Sequence, residues 1–397
     1  MNTIGPRSDT GVDRSGVSSG SCAVASGEIR PLTSNRRSRP VTREDVARHA
    51  GVSTAVVSYV VNDGPRGVAP DTAERVRESM RVLRYRPNFH ARDLKRGSSR
   101  TIGLILRDSR NPYFLEFYQA IEGAAAERGL RILVADSHGD PRIERQWLDD
   151  MVSRQVDGLF LMSTTQEHVQ LESLREVTTP TVLLDCPAPF PAFSSIGPDA
   201  YAGAMAAVQH LTRVHGRDSV GLVVGSGGFG WPDPRRLGWE RALAEAGLAP
   251  GPVAVNDWTV EGGYRAARKL IDGGTLPASM FISSDAQAVG FLRALHEAGL
   301  DPARDCPVVS FDGTGLSAYT WPALSSVRQP VGAMAARALD LLEAGRASPS
   351  HHSFEVELIV RESCGCVTAG EIGGTRSPSP SRSGCTGSRS QPRRSEH

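Results

Sequence analysis

Residues 41 to 64 read VTREDVARHAGVSTAVVSYVVNDG, and their types suit a surface that grips a polyanion. Thr42 and Asp45 have the spacing of a capping box, with Asp in place of the usual Glu, opening a helix that carries Val46, Ala47 and Ala50. Gly51 ends it. Ser53 is an N-cap for a second helix whose Val57, Val60 and Val61 supply an apolar face, and Asn62-Asp63-Gly64-Pro65 stops that helix. Two short helices across a glycine turn are what a helix-turn-helix needs, the first bracing the second in the major groove. On that geometry Thr54 and Ala55, at the N-terminal end of the second helix, and Tyr59, further along it, face base edges. Arg43, Ser53 and Ser58 are placed for phosphates, which give affinity and register but no sequence information. Asp71 with Glu74 opens a third helix, with Val76, Met80 and Leu83 at helical spacing.

Charge agrees with this placement once it is divided along the chain. The 397 residues carry a formal net charge of +1. Residues 36 to 100 hold 15 Arg/Lys against 7 Asp/Glu, an excess of +8, and residues 370 to 397 hold 5 against 2. Residues 1 to 35 balance at 3 and 3, which leaves 101 to 369 at −10. A basic segment is thus fused to an acidic body, as expected of a polyanion-binding module joined to something else.

Several classes are excluded. No stretch reaches the roughly 18 to 20 apolar residues of a membrane span, and the first residues lack the apolar run of a signal peptide, so a cytoplasmic protein without a membrane partner is expected. Six cysteines in so long a chain do not make a disulfide framework. The one G-x-S-x-G string, Gly16-Val17-Ser18-Ser19-Gly20, follows no apolar run and so is not a nucleophile elbow, and there is no metal cluster or P-loop, so no enzyme, cofactor or metal is expected. Gly225, Gly227 and Gly230 spell G-x-G-x-x-G after the run SVGLVV, yet Trp231-Pro232-Asp233-Pro234 follows where a helix should open onto a pyrophosphate. Cys364-Gly365-Cys366, even with His351 and His352 nearby, lacks a second ligand pair at zinc spacing and reads as a reduced surface motif. His49 and His90 read as solvated or phosphate-facing.

These residues need elements to hold them. From Thr101 onward TIGLIL, RILVAD, VDGLFLM, TVLLD, SVGLVV, ASMFIS and CPVVSF are short apolar runs, with helical patterns such as 113–128, 141–154, 201–213 and 285–298 between them. Such alternation predicts parallel sheet covered by helices, and its length predicts two doubly wound subdomains. The expected fold class is an all-α helix-turn-helix head plus an α/β body. The expected domains are a disordered extension over 1–40, the head over 41–87, a hinge and linker over 88–100, a ligand-sensing body over 101–369 and a disordered tail over 370–397.

The patterns VTxxDVAxxAGVSxxxVSxVxN, RxRPNxxARxLxxG and TIGLxxxDxxNPYF, in this order, resemble the lactose repressor/galactose repressor family of bacterial transcription regulators. The resemblance runs from about Val41 to Arg361. It implies a hinge helix over 88–96 that folds on operator DNA, with Asn88 and Arg92 at the DNA and Leu94 as a minor-groove wedge; packing against a neighbouring helix is the alternative for Leu94. Two positions depart from the family. Val56 stands where most members have Thr, and Tyr59 where many have Arg, so a bidentate guanine contact is lost and the operator should differ there.

The resemblance also makes the body similar to periplasmic sugar-binding proteins, with a small molecule in the cleft between subdomains, where an open α/β sheet is expected to take its ligand. Carried over by motif, the ligand candidates are Tyr113 and Phe114 in NPYF, Asp185 ending TVLLD, Arg235 in RRLGW, Trp258 in NDWTVEGGY, Asp285 in SSDAQAVG and Asp312 in SFDG. An aromatic face with Arg and Asp groups suits a sugar or another small polar ring. Asp285 is also a natural helix N-cap, Asp185 and Asp312 also end strands, and Phe114 also suits a core. Trp231 is either a pocket wall or an exposed loop residue. The implied protein is a homodimeric regulator, on balance a repressor, of a pseudo-palindromic double-stranded operator, switched by a small-molecule effector. The alternative is a solute-binding protein without a transcriptional role, which would need export.

Overall fold

The computed structural model describes residues 39, 41–62, 67–86, 98–163, 178–225, 233–345 and 349–366. The expectations for 1–40 (Arg39 apart), for 370–397, for the hinge residues Asn88, Arg92 and Leu94, and for His90, Gly227, Gly230 and Trp231 lie outside these residues. Contacts divide the chain into two units, one up to Phe89 and one from His90 onward.

The first unit holds α1 (Arg43–Ala50), α2 (Thr54–Asn62) and α3 (Pro70–Val82). The capping box is closed in both directions: Thr42 N donates to Asp45 Oδ2 at 2.9 Å and Asp45 N to Thr42 Oγ1 at 3.4 Å. These bonds hold the Asp45 carboxyl below its ordinary range, the Thr42 amide contributing most. Gly51 takes a left-handed φ of 64°, which ends α1 at no steric cost. Ser53 caps α2 by accepting from Val56 N at 3.3 Å. The third helix begins one residue earlier than Asp71, because Pro70 sits at its first position, where a missing N–H costs nothing. Val46, Val57 and Val76 close a small core between the three.

The second unit contains two six-stranded sheets. The first is built by β1 (Thr101–Leu106), β2 (Arg131–Asp136), β3 (Gly158–Leu161), β4 (Thr181–Leu183) and β5 (Ser194–Pro198). The second is built by β6 (Val220–Gly225), β7 (Val253–Asn256), β8 (Ser279–Ile282), β9 (Val308–Asp312) and β10 (Ser325–Arg328). The chain then returns, β11 (His351–Phe354) to the first sheet and β12 (Glu357–Ile359) to the second. The orders are β11-β5-β4-β3-β1-β2 and β12-β10-β9-β8-β6-β7, with every pairing parallel except that of β12. The connecting helices are α4 (Pro112–Glu127), α5 (Pro141–Ser153), α6 (Ala200–Gln209), α7 (Pro234–Ala246), α8 (Val260–Asp272), α9 (Asp285–Glu297) and α10 (Val331–Ala344). Each expected apolar run is a strand. The sequence reading passed over five strands: β5 and β10, whose SSIGP and SSVR bury hydroxyls among few large apolar side chains, and β7, β11 and β12, short strands that are mostly half-buried or exposed.

The chain passes between the sheets three times, after β5, before α10 and between β11 and β12. Phe117 and Ile121 of α4 and Met334 and Leu339 of α10 cover one face of the first sheet against Leu104, Phe160 and Val182. Trp239 of α7 and Ala204 of α6 do the same for the second sheet, against Leu222, Phe281 and Phe311. Two rigid bodies joined by three strands of chain can change their mutual angle without breaking either core.

Candidate functional site

On α2, Thr54, Ala55, Ser58 and Tyr59 share one helical face, and Val56, Val57, Val60 and Val61 turn the other face to the core. Thr54 and Ala55 are exposed and Ser58 and Tyr59 half-buried. Arg43 and Ser53 are exposed at the starts of α1 and α2. The Ser53 oxygen accepts the capping bond, which leaves its O–H to donate to a phosphate. His49 is exposed, as its sequence reading has it, and its Nδ1 also lies 2.9 Å from Ser79 Oγ on α3.

In the second unit a cavity of about 220 Å³ opens at the C-terminal edges of both sheets. Six of the seven ligand candidates line it: Tyr113, Phe114, Asp185, Arg235, Trp258 and Asp312. Asn111 explains the NPYF motif, for its side chain caps α4 by accepting from Tyr113 N at 3.0 Å, Pro112 takes the first helical position, and the two aromatics follow in the first turn. Asp185 and Asp312 leave β4 and β9 with φ of 54° and 119°. Such backbone costs about 1–3 kcal/mol per residue and persists where the surroundings over-determine it, which is characteristic of ligand clamps.

Arg235 sits in the first turn of α7, capped by Asp233, and is 8% exposed. Its guanidinium lies between two rings, 5.1 Å from the Trp258 centroid and 4.8 Å from that of Phe311. Burial opposes its charge, but Asp233, Asp185 and Asp312 overcome this and hold it above its ordinary value. Burial likewise raises the Asp185 carboxyl, against Arg235, Arg107 and the Tyr113 hydroxyl, which donates to Asp185 Oδ1 at 3.2 Å. Asp312 stands well above the carboxylate range through burial, with the charges of Asp285 and Asp185 adding to it and Arg235 opposing. Arg235 Nε and Trp258 Nε1 are buried without an acceptor among the described residues. Two donors left unmatched in a cleft lining are poised for acceptors on a ligand.

Gly225 gives the apparent dinucleotide motif a different meaning. A Cβ there would run into the Trp258 indole, so this glycine makes room for the aromatic wall of the cleft.

Comparison with known proteins identifies the chain. Residues 42–88 match bacterial regulatory proteins, lacI family, and residues 208–364 match a periplasmic binding protein-like domain. The chain is 32% identical over 308 residues to the ribose operon repressor of Escherichia coli (strain K12), covering 76% of this chain and 92% of that protein. It is 34% identical over 307 residues to catabolite control protein A of Priestia megaterium, covering 75% and 91%. The chain belongs to the lacI family. Among solved structures, the Lac repressor dimer bound to operator and an anti-inducer aligns with TM-score 0.70 and 25% identity over 82% of this chain and 99% of that one. The transcriptional regulator CelR in complex with cellobiose aligns with TM-score 0.60 and 25% identity, over 81% and 99%. As a lacI-family member the protein is a DNA-binding transcription regulator, and the reading as a solute-binding protein without such a role is set aside. No helix among the described residues is long and apolar enough to cross a membrane.

In this lacI-family body Asp285 is the candidate that departs from its expected place. It does not line the cleft, and Ser284, not Asp285, caps α9. The Asp285 carboxylate accepts from Ser310 Oγ and Ser326 Oγ at 2.6 Å, and from Thr314 N at 2.7 Å and its Oγ1 at 2.8 Å. It ties β9, β10 and the following turn together beneath Asp312. The sequence reading missed Arg107, Asp108, Arg110, Asn111, Ser284 and Thr259, which also line the cleft. Asn111, Ser284 and Thr259 were legible as helix caps. Arg107 had a weaker signal, a charge placed directly after the apolar run of β1.

Proposed function

We propose that the chain is a homodimeric, cytoplasmic repressor, in which heads spanning 41–87 read half-sites of a pseudo-palindromic operator. A body spanning 101–369 holds a small neutral polyhydroxylated ring, a sugar, as effector. It binds this effector and does not turn it over. The observation that carries the effector class is the mixed charge of the cleft. Three arginines (107, 110, 235) and four aspartates (108, 185, 257, 312) line it, with an aromatic wall at Trp258. Near-balanced charge favours an uncharged ligand; carboxylates accept from its hydroxyls, guanidinium groups donate to them, and the indole covers its C–H face. The ribose operon repressor and the cellobiose complex of CelR support the same class.

Tyr113 and Asp185 come from one subdomain and Arg235, Trp258 and Asp312 from the other, so a ligand bridging them favours one mutual angle. The switch is the difference in affinity between the two angles. Arg43, Ser53 and Ser58 are assigned to phosphates, Thr54, Ala55 and Tyr59 to bases, Asn88 and Arg92 to DNA contact from the hinge, and Leu94 to the minor-groove step.

A thermal-shift screen of ribose, cellobiose, other sugars, polyols and nucleobases tests the effector class, since a binder raises stability by mass action. A sugar that stabilises the protein should also change operator affinity in an anisotropy titration. Stabilisation by nucleobases with none by sugars would overturn the sugar reading, and DNA binding insensitive to salt would overturn the head.

A further inference from the structure

Four side chains far from the cleft point their donor atoms at one place. His210 Nε2 lies 3.3 Å from Cys364 Sγ, 3.6 Å from Cys366 Sγ and 3.2 Å from His215 Nε2, and His215 Nε2 lies 3.3 Å from Cys366 Sγ. All four atoms fall within 4.8 Å of one another. A tetrahedral zinc with bonds of about 2.05 Å to nitrogen and about 2.3 Å to sulfur has edges of about 3.3 Å between nitrogens and about 3.6 Å between nitrogen and sulfur. The four short separations lie close to those edges, and the remaining pairs fall within 4.8 Å, a span that a small inward shift of the side chains would close around an ion. Hydrogen bonding does not account for the cluster, because an imidazole nitrogen offers one proton or one lone pair and His210 Nε2 faces three partners. One ion at the shared point serves all four.

The backbone is shaped to this end in two places. On a regular α-helix, residues five apart point in directions well separated round the axis, so His210 and His215 would not meet. Here α6 widens into a π-helical turn over His210–Val214, with His215 N donating to His210 O at 3.4 Å, and the two rings meet edge to face with their Nε2 atoms 3.2 Å apart. Such turns are rare and recur at functional sites. On the other side Gly365 has a φ of 93°, and a Cβ there would come 2.7 Å from Ala303 O. Glycine is what this C-G-C turn needs to send both thiols the same way.

We propose that His210, His215, Cys364 and Cys366 form a structural Zn²⁺ site. Binding releases the two thiol protons and leaves two thiolates and two neutral imidazoles on the dication, a neutral tetrahedral centre with no open position. The residue before Cys364 shows what it would secure: Ser363 bonds to Val308 at the start of β9 and to Ser325 at the start of β10. The centre therefore lies at the N-terminal edge of the second sheet, opposite the effector cleft. It would staple the turn after β12 to the end of α6. The structure corrects the sequence reading of Cys364-Gly365-Cys366 as a surface motif, since Cys364 is fully buried and Cys366 half-buried; the two histidines beside them lie some 150 residues upstream, where only a π turn makes them a pair.

The test uses the untagged full-length chain, purified under a thiol-preserving reductant, loaded with Zn²⁺ and dialysed. Elemental analysis should give one zinc per chain, and a chelator should lower the melting temperature by several degrees. Co²⁺ in place of Zn²⁺ should give thiolate-to-metal charge-transfer absorption and the d–d bands of a tetrahedral ion. Cys366→Ser and His215→Asn should lose the bound metal and the chelator effect while keeping the far-ultraviolet dichroism of a folded chain. Three results would each overturn the proposal: zinc well below one per chain in the wild type, full metal retention by Cys366→Ser, or a Cys364–Cys366 disulfide in peptide maps of the reduced protein. The wild-type metal content and cobalt spectrum decide the matter even where a variant fails to fold.

Discussion

Arg235→Met tests the electrostatics of the cleft. The substitution keeps a long apolar stem between Trp258 and Phe311 and removes the charge that Asp233, Asp185 and Asp312 share. Removing one partner from a buried charge cluster costs about 3–5 kcal/mol, most of it the penalty on the charges left behind. At about 2–4 °C of melting temperature per kcal/mol for a domain of this size, the loss at neutral pH is on the order of 10 °C.

The pH dependence of that loss is the sharper observable. Burial already raises the Asp185 and Asp312 carboxyls in the folded protein, and Arg235 is what opposes the rise at both. Without it both shift further upward. A carboxyl whose folded pKa exceeds its unfolded value of about 4 binds more protons in the native state, so its contribution is complete below that value and is lost as pH rises through the folded pKa. The stability gap between wild type and Arg235→Met should therefore be widest near about pH 8 and narrow towards about pH 5. Urea unfolding of both proteins across that range measures it. A gap that stays constant, or widens as pH falls, would refute the charge-cluster account. The variant should also lose sugar-induced thermal stabilisation at every pH.

Three further outcomes follow from other parts of the chain. Gly225→Ala should displace the Trp258 indole and weaken effector binding by roughly tenfold or more, read by calorimetry, since overpacking of this kind costs about 1–3 kcal/mol. Asp157 accepts from Ser98 Oγ at 2.7 Å, Ser99 N at 2.8 Å and Arg100 N at 2.7 Å, fixing the chain as it enters β1. Asp157→Ala should leave effector affinity intact and shrink, several-fold, the effector-dependent change in operator affinity; an unchanged ratio in anisotropy titrations would count against this anchor. In the head, Arg43→Ala should lower affinity evenly across DNA sequences and reduce the salt slope by about 1, whereas Tyr59→Ala should alter discrimination at one operator position, as selection from randomised sites would show.

Local pattern made the fold readable wherever one residue's neighbours in sequence decide its state. The Thr42–Asp45 box, Gly51 and the valines of α2 act within a turn or two, and so do the apolar runs that became β1 and β6. The cleft was legible because open α/β sheets put their ligand at the strand ends, where Asp185 and Asp312 stand. What pattern could not show is which way a polar group turns once buried. Asp285 opens the helix after β8 and Asp312 ends β9, yet the first accepts from four donors inside the second sheet and the second lines the cavity. Only the register of β9 against β10, which brings Ser310 beside Ser326, assigns Asp285 inward.

That division of labour also explains how occupancy of a small cavity can be felt at the linker. Glu116 of α4 accepts from Gly315 N at 2.8 Å, a bond made directly between the two subdomains. Arg235 and Asp185 attract one another across the same gap. These contacts favour one angle between bodies whose own cores are closed, so small changes in the cleft become rigid rotation and leave each core's packing undisturbed. Asp157 belongs to the first of those bodies, in the turn that leads into β3, and it grips residues 98–100. The exit of the linker is consequently fixed to one subdomain alone. In a dimer it would follow that subdomain whenever the angle changes, and the spacing of the two heads would follow the linkers. A ligand that bridges Asp185 and Arg235 therefore needs no path of shifting side chains to reach the DNA; it needs only to favour one angle over the other.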